Sequence, residues 1–182
     1  EMEHVQVHPT GFINPKDPGA STKTLCAELL RGAGAILLDR SGRRFVDELA
    51  TRAHISGVMM ATDPEALDFV IVMNDAQAAI NDKHVPLYLS KGLLTKFDSL
   101  ADLAAWMAER GTANLATLQE TIRNYTAAAA AGAEGTPDEF GKKFFHNPDF
   151  EHTGSYYAGR VTPVVHYSMG GIAIDAEGRV LR

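Results

Sequence analysis

The strongest structural signal in this 182-residue chain is the segment FVIVM at residues 69–73, an uninterrupted apolar run. Five apolar residues with no polar break are typical of a buried strand, because a core helix normally needs about twice that length. The next two residues, Asn74 and Asp75, are both good N-caps, so we expect a helix to follow and to run through Ile80. The segment therefore predicts a buried strand that leads directly into a helix.

Patterns on both sides of this segment predict further strands and helices. Alternating residues in 3–7 predict a half-buried strand that His8-Pro9 ends, because proline cannot continue a ladder. We expect extended chain at 35–39 and 156–168, helices at 25–31, at 51–61, after Ser99 and after Asn114, a loop at 137–148 and a hairpin at 171–182. These elements indicate an α+β fold of mixed helices and small β-sheets.

The composition limits the classes of protein to which the chain can belong. Hydrophobic residues make up 45% and charged residues 22%, as in soluble globular domains. With 17 basic and 23 acidic residues, the formal charge is -6, which disfavours nucleic acid and anionic membranes as partners. No apolar run approaches the ~20 residues of a membrane span. We therefore expect a soluble protein of one domain's length.

Several common sites are not predicted. The chain contains neither GxGxxG nor GxxxxGK[ST], so no complete nucleotide site is expected. One cysteine and seven histidines form neither a Cys₂His₂ nor an HExxH pattern, so no metal is expected. Cys26 itself is better interpreted as a small buried hydrophobe than as a nucleophile.

Two histidines and one pair of charged residues could take part in ligand binding or catalysis, and each also has a purely structural interpretation. His8, at a predicted strand end, could face a ligand or could be tied to a carbonyl group. His166 precedes two glycines in extended chain and could bind a ligand or belong to the core. Glu28 and Arg31 are three residues apart on one helix face, where they could cooperate or form an ordinary surface ion pair.

Arg52 is the fifth candidate. Its structural interpretation is a charged face, because it belongs to a segment with five acidic or basic residues from Arg43 onward.

These residues lie within four motifs that together resemble a known family. In order, the motifs are MEHVQVHPT at 2–10, ELLRGAGAIL at 28–37, GRRFVDE at 42–48, and YYA at 156–158 with HYSMGG at 166–171. Their order is similar to that in fumarate reductase flavoprotein subunits of the fumarate reductase/succinate dehydrogenase family. The similarity is greatest to soluble fumarate reductases of the yeast and trypanosomatid type, which the long loop at 11–23 also resembles.

The resemblance implies the substrate-capping domain of such an enzyme, with flanking strands from a truncated FAD-binding domain. We expect residues 1–24 to form a strand and hinge loop at the edge of the FAD-binding domain. Residues 25–160 would form the cap, and residues 161–182 the hinge and return strands. The partner is then the FAD-binding domain, which lies outside this chain, and we expect no FAD bound to this chain alone and no turnover by it.

The resemblance also implies roles in the reduction of fumarate to succinate. Reduced FAD would deliver a hydride to the alkene while Arg52, as general acid, protonates the other carbon. Glu28 and Arg31 would form the proton relay, and His8 and His166 would hold the substrate carboxylates, with Glu28 and Arg52 also contacting substrate. The backbone at Met169, Gly170 and Gly171 would approach substrate or flavin.

Three alternatives remain at this point. A cap of an L-aspartate oxidase-like enzyme tends to have cysteine in place of Met169, and urocanate reductase-like enzymes replace the histidine at the position of His8. A third alternative is a folded, non-catalytic module that binds a dicarboxylate or a partner chain. An exposed cap face could also cause self-association, and the resemblance is compatible with mitochondrion, glycosome or cytoplasm.

Overall fold

The computed structural model describes residues 4–150, 154–168 and 170–181, and within these ranges the strands form one sheet. The strands are β1 (Val5–Phe12), β2 (Thr24–Leu25), β3 (Ile36–Leu38), β4 (Phe69–Asn74), β5 (Thr95–Phe97) and β6 (Tyr156–Ser168). The helices are α1 (Glu28–Gly32), α2 (Arg52–Thr62), α3 (Asp75–Ile80), α4 (His84–Ser90), α5 (Leu100–Ala108) and α6 (Leu115–Gly132). The mixture of helices and antiparallel strands agrees with the predicted α+β class.

The 13-residue strand β6 joins the sheet together. The strand order is β2-β1-β6-β4-β3, and β5 also pairs with β6. β1 pairs with the second half of β6, whereas β4 and β5 pair with its first half, and all these pairings are antiparallel. The prediction of several small sheets was therefore wrong, because β6 is long enough to join strands that the sequence separates by more than 50 residues.

The sheet has a hydrophobic core on each face, and the alternation within β4 shows this directly. Phe69, Ile71 and Met73 belong to one buried cluster, together with residues of α1 to α4. Val70 and Val72 belong to the other, together with residues of α5 and α6. β4 is thus buried on both sides, as its unbroken apolar run predicts.

The predicted end of the first strand was wrong. β1 continues through Pro9 to Phe12, because a register shift between His8 and Gly11 leaves one extra residue on this strand. At such a bulge the ladder is locally interrupted, so a proline without an N–H is tolerated. The site described below depends on this bulge.

Most other local predictions were confirmed. Asn74, Ser99 and Asn114 each accept a backbone N–H as helix N-caps, and Asn74 forms a capping box with Gln77.

The 171–182 hairpin is reduced to one bridge, between residues 174 and 180. The strand at 35–39 is shorter than predicted, and α1 begins at Glu28 because Thr24–Leu25 pairs with β1. The sequence did not predict β2, α4 or β5.

Two further predictions concern the single cysteine and the absence of membrane-spanning segments. Cys26 is fully buried in the core, where burial raises the pKa of its thiol to about 12, so the interpretation as a small hydrophobe is confirmed. Among the described residues, no helix combines the length and apolar character that crossing a bilayer requires.

Candidate functional site

Two irregularities in the pairing of β1 with β6 bring Gln6, His8 and His166 together. Between Gln6 and Val7 the register skips His166, which is therefore an extra residue on β6. The second irregularity follows His8 on β1. Bulges re-aim side chains, and the rings of His8 and His166 lie 5.2 Å apart between centroids. The two histidines thus face each other across neighbouring strands.

His8 is held as a neutral imidazole with one defined tautomer. It is 1% exposed, and the Thr10 backbone N–H donates to its Nδ1 at 3.2 Å, so the ring hydrogen lies on Nε2. Burial, followed by the positive charges of Arg31 and Arg52 and by His166, lowers the pKa of His8 to about 4. Within the described part of the chain, Nε2 has no hydrogen-bond partner. His8 therefore offers an N–H donor to a ligand.

Thr10 also joins β1 to the segment that leads into α1. Its hydroxyl donates to the Cys26 carbonyl at 3.1 Å. The Tyr88 hydroxyl donates to the Leu25 carbonyl at 3.0 Å and accepts from the Ala27 N–H at 3.2 Å. α1 has no side-chain N-cap, so these two hydroxyl groups position its first turn against the histidines.

Arg52 is the first residue of α2, after the N-cap Thr51, and polar groups hold it from two sides. Its Nε and Nη2 donate to the Glu28 carboxylate at 2.7 Å and 2.5 Å. Its Nη1 donates to Gln6 Oε1 at 2.7 Å, and the same oxygen lies 3.0 Å from His166 Nδ1. Every nitrogen of the guanidinium therefore has an acceptor, and its position is defined.

Glu28 and Arg31 are both near Arg52, although not as one paired unit. Burial would raise the pKa of Glu28, but the hydrogen bond from Arg52 and the charge of Arg31 outweigh it, so the pKa lies below its usual value. Glu28 is exposed, whereas Arg31 is 2% exposed and donates through Nη1 to the Glu48 carbonyl at 2.6 Å. No ion pair joins Glu28 to Arg31 within 4.0 Å. Arg31 therefore lies on the core side of this short helix and is held by Glu48, whereas Glu28 contacts Arg52.

Arg31 nevertheless contributes positive charge to the site. In the described ranges its Nε and Nη2 lack a hydrogen-bond partner, and burial lowers the pKa of this guanidinium. Buried N–H groups without partners are costly and rare in folded proteins. Together with His8 Nε2, these nitrogens indicate a place where an anionic ligand would complete the hydrogen bonding.

A buried charged cluster lies behind Arg31. The Glu48 carboxylate is fully buried and accepts from Arg44 at 2.8 Å and from Lys142 at 2.8 Å. Arg44 also pairs with Asp138 at 2.9 Å. These positive charges outweigh burial and keep the pKa of Glu48 below its usual value. The cluster fixes the Glu48 backbone whose carbonyl holds Arg31.

The structure describes the glycine motif after β6 only at Gly170 and Gly171. Met169 lies outside the described residues. The Gly170 N–H donates to Ser168 Oγ at 3.2 Å, and Gly171 has no atom within 4 Å of where a Cβ would project. The chain has no phosphate-binding glycine loop of the GxGxxG type.

The arrangement suits recognition of a small anion with several oxygen atoms. Within the part of the chain that the structure describes, His8 and Arg31 present buried donors without partners. His166 lies opposite His8, and Glu28 accepts hydrogen bonds from Arg52. A groove lined by residues of β1 and α2, including Gln6, Thr51, Arg52, Ser56 and Met60, adjoins it. Buried N–H donors and cationic groups of this kind form strong hydrogen bonds with the oxygen atoms of an anion.

The structure brings together all five side chains that the sequence singled out: His8, Glu28, Arg31, Arg52 and His166. The sequence reasoning missed Gln6, Thr10 and Glu48, although all three lie within the quoted motifs. For Gln6 the available signal was its position two residues before His8, which places both side chains on one face of a strand.

Comparison with known proteins identifies a family and several relatives to which this chain is similar. Residues 1–182 match the family described as FAD binding domain. A fumarate reductase of Schizosaccharomyces pombe is 40% identical over 181 residues, covering 100% of this chain and 33% of the relative. Fumarate reductase 1 of Saccharomyces cerevisiae is 33% identical over 184 residues, covering 100% of this chain and 38% of the relative.

One solved structure contains a region with a fold similar to that of this chain. It is the open conformation of a flavocytochrome c3 fumarate reductase, with a TM-score of 0.76 and 29% sequence identity. The match covers 98% of this chain and 28% of that chain. The chain thus spans about a third of the length of the curated relatives that it matches.

Proposed function

This chain belongs to the FAD-binding-domain family, and we propose that it is the substrate-capping part of a fumarate reductase in that family, of the yeast and trypanosomatid type. In this proposal residues 25–160 form the cap. Residues 1–24 and 161–182 connect it to the part of the enzyme that binds FAD. Fumarate and succinate are the proposed substrate and product.

The observation that carries the proposal is the convergence of His8, Arg31, Arg52 and His166 in one place. A dicarboxylate carries two negative charges, and each charge needs donors that do not have to be reorganised on binding. Three buried nitrogens of His8 and Arg31 have no partner in the described ranges. A bound carboxylate would satisfy them and remove the cost of leaving them unpaired.

His8 and His166 would hold the carboxylates, and Arg52 would donate the proton. FAD bound in the intact enzyme would supply the hydride for the other alkene carbon. An isolated arginine is a poor acid, so it must be held against the carbon that it protonates. The bonds from Arg52 to Glu28 and Gln6 provide such positioning.

In the proposed relay, Glu28 returns a proton to Arg52 directly, since the two are hydrogen-bonded. Arg31 acts on Glu28 through its charge, which stabilises the carboxylate form. The Met169–Gly171 backbone is proposed to face substrate or flavin in the intact enzyme.

The face that carries the site is proposed to contact the FAD-binding part of the enzyme. Large apolar side chains are exposed on the elements that carry the site, namely Leu25 before α1, Leu29 in α1, and Val165 and Tyr167 on β6. Exposed apolar groups of this kind mark contact surfaces. Without its partner, this face would favour self-association.

Replacement of Arg52 by alanine in the intact enzyme tests the assignment. We expect fumarate reduction to fall by at least about a hundredfold, the usual contribution of a general acid, while bound FAD is unchanged. Arg43, which forms an exposed pair with Glu120, provides the control: Arg43→Ala should keep normal turnover. Near-normal turnover of Arg52→Ala would remove Arg52 from the reaction.

A second candidate is dicarboxylate binding without catalysis, and the missing phosphate-binding loop favours it for the isolated chain. Calorimetric titration of the chain with fumarate or succinate should give at most weak binding and no turnover. A yellow purified chain with retained FAD would contradict this expectation. Comparison of fumarate with aspartate and urocanate in the intact enzyme would separate the related substrate classes.

A further inference from the structure

The Gln6 side chain occupies the centre of the site and connects two groups of the proposed chemistry. Its Oε1 accepts from Arg52 Nη1 at 2.7 Å and lies 3.0 Å from His166 Nδ1. Gln6 is half-buried on β1, two residues before His8, so both side chains lie on the same face. Gln6 belongs neither to the proposed proton relay nor to the proposed carboxylate ligands.

The orientation of the Gln6 amide follows from the chemistry of its neighbours. A guanidinium has only donors, so the amide must turn its oxygen and not its NH₂ group toward Arg52. That oxygen has no hydrogen to donate, so His166 Nδ1 must be the donor in its own hydrogen bond to Gln6. Arg52 therefore determines the amide orientation, and the amide determines the tautomer of His166.

The two histidines consequently differ in what they can offer a ligand. His8 accepts at Nδ1 from the Thr10 N–H and carries its hydrogen on Nε2. Neutral His166 carries its hydrogen on Nδ1 and has a lone pair on Nε2. In the neutral state His8 donates toward a ligand through Nε2, whereas His166 accepts there. His166 can therefore hold a substrate carboxylate through Nε2 only when that nitrogen is also protonated, with Nδ1–H still donated to Gln6.

We propose that Gln6 is a positioning residue that holds Arg52 on the side opposite Glu28 and sets the Nδ1–H tautomer of His166. The proposal deepens the function proposed above and rests on it for its link to fumarate reduction. Glu28 engages Nε and Nη2 of Arg52, and Gln6 engages Nη1. Loss of the amide frees one end of the guanidinium and one ring nitrogen of His166 together.

The direct test is the tautomer of His166 in the full-length protein that contains this chain. Histidines labelled with ¹⁵N distinguish a protonated from an unprotonated ring nitrogen, and His166→Gln identifies the signals. At a pH at which His166 is neutral, we expect its Nδ1 to be protonated and its Nε2 unprotonated. The opposite pattern in the wild-type protein would overturn the proposal without any need for a mutant.

Two variants at Gln6 test whether the amide is the cause. Gln6→Leu removes the acceptor and should shift His166 to a mixture of tautomers, while His8 keeps its Nε2–H signature. Gln6→Glu keeps oxygen acceptors for both neighbours and should retain the Nδ1–H form of His166. An unchanged His166 signature in Gln6→Leu would overturn the proposal.

Turnover provides a second readout that a merely structural role would not reproduce. Displacement of a catalytic group by about 1 Å can cost about a hundredfold in rate, so Gln6→Leu should lower kcat by roughly ten- to a hundredfold with a smaller change in KM. Gln6→Glu should recover most of that loss. Equal kcat in Gln6→Leu and wild type would refute the positioning of Arg52. If the wild-type enzyme does not reduce fumarate, the proposed function fails, while the tautomer measurement still decides the role of Gln6.

Discussion

Glu48→Gln should destabilise the fold strongly, because Glu48 is the buried counter-charge of two cations. Its side chain is 0% exposed, and those of Lys142 and Arg44 are 1% and 6% exposed. A glutamine has nearly the same shape and can still accept from the Leu37 N–H, now at 3.3 Å from Glu48 Oε1. The substitution therefore removes charge with little change in packing.

The size of the loss in unfolding free energy depends on which of the two cations loses its counter-charge. Arg44 keeps its pair with Asp138 at 2.9 Å, whereas Lys142 retains, besides the Tyr125 hydroxyl at 3.3 Å, no other hydrogen-bond acceptor in the described ranges. An uncompensated buried charge costs about 3–5 kcal/mol. We expect the free energy of unfolding to fall by that amount.

Equilibrium unfolding in urea, followed by the fluorescence of Trp106, the single tryptophan of the chain, measures this change. Glu120→Gln is the matched control, since the Glu120–Arg43 pair is about half exposed and such pairs contribute at most about 1 kcal/mol. The double variant Glu48→Gln/Lys142→Met should be less destabilised than Glu48→Gln alone. A loss below about 1 kcal/mol for Glu48→Gln would refute the reasoning.

The same cluster predicts a pH dependence. Because the pKa of Glu48 is lower in the folded state, its ionised form contributes stability above the ordinary glutamate pKa of 4.5, and this contribution is lost as the pH falls further. The difference in unfolding free energy between wild type and Glu48→Gln should therefore shrink on acidification. A constant difference down to acid unfolding would contradict the assignment of Glu48 as ionised.

Three further measurements follow from local environments. His8 should stay neutral down to about pH 5, because its pKa is about 4, and an NMR titration of its ring protons reports this; a midpoint above pH 6 would contradict its burial beside Arg31. Cys26, whose thiol pKa is about 12, should react with a thiol reagent only as the protein unfolds, so rapid labelling of the native protein would contradict its burial. Gly34→Ala should destabilise the fold, because φ at Gly34 is +111° and an added Cβ would collide with the His146 carbonyl. Gly57 has an open position in α2, so Gly57→Ala should raise the free energy of unfolding by about 1 kcal/mol. Equal effects of the two substitutions would refute the steric argument.

Local sequence patterns were sufficient for most individual elements. The apolar run at 69–73 and the N-caps Asn74, Ser99 and Asn114 depend on contacts within a few residues, so the sequence alone reveals them. The motifs around His8 and His166 likewise identified the side chains that meet in the site.

The tertiary structure decided how these pieces combine. Gln6 and His166 are 160 residues apart in sequence, and Lys142 is 94 residues from Glu48. Two one-residue register shifts between β1 and β6 place the two histidine rings 5.2 Å apart, and neither strand has a periodicity that predicts these shifts. One side of α1 is buried, so Arg31 donates to the Glu48 carbonyl, whereas Glu28 on the exposed side accepts from Arg52. Sequence alone determined which groups are present, whereas long-range strand pairing and burial determined which atoms each group can reach, because these depend on parts of the chain that only folding brings together.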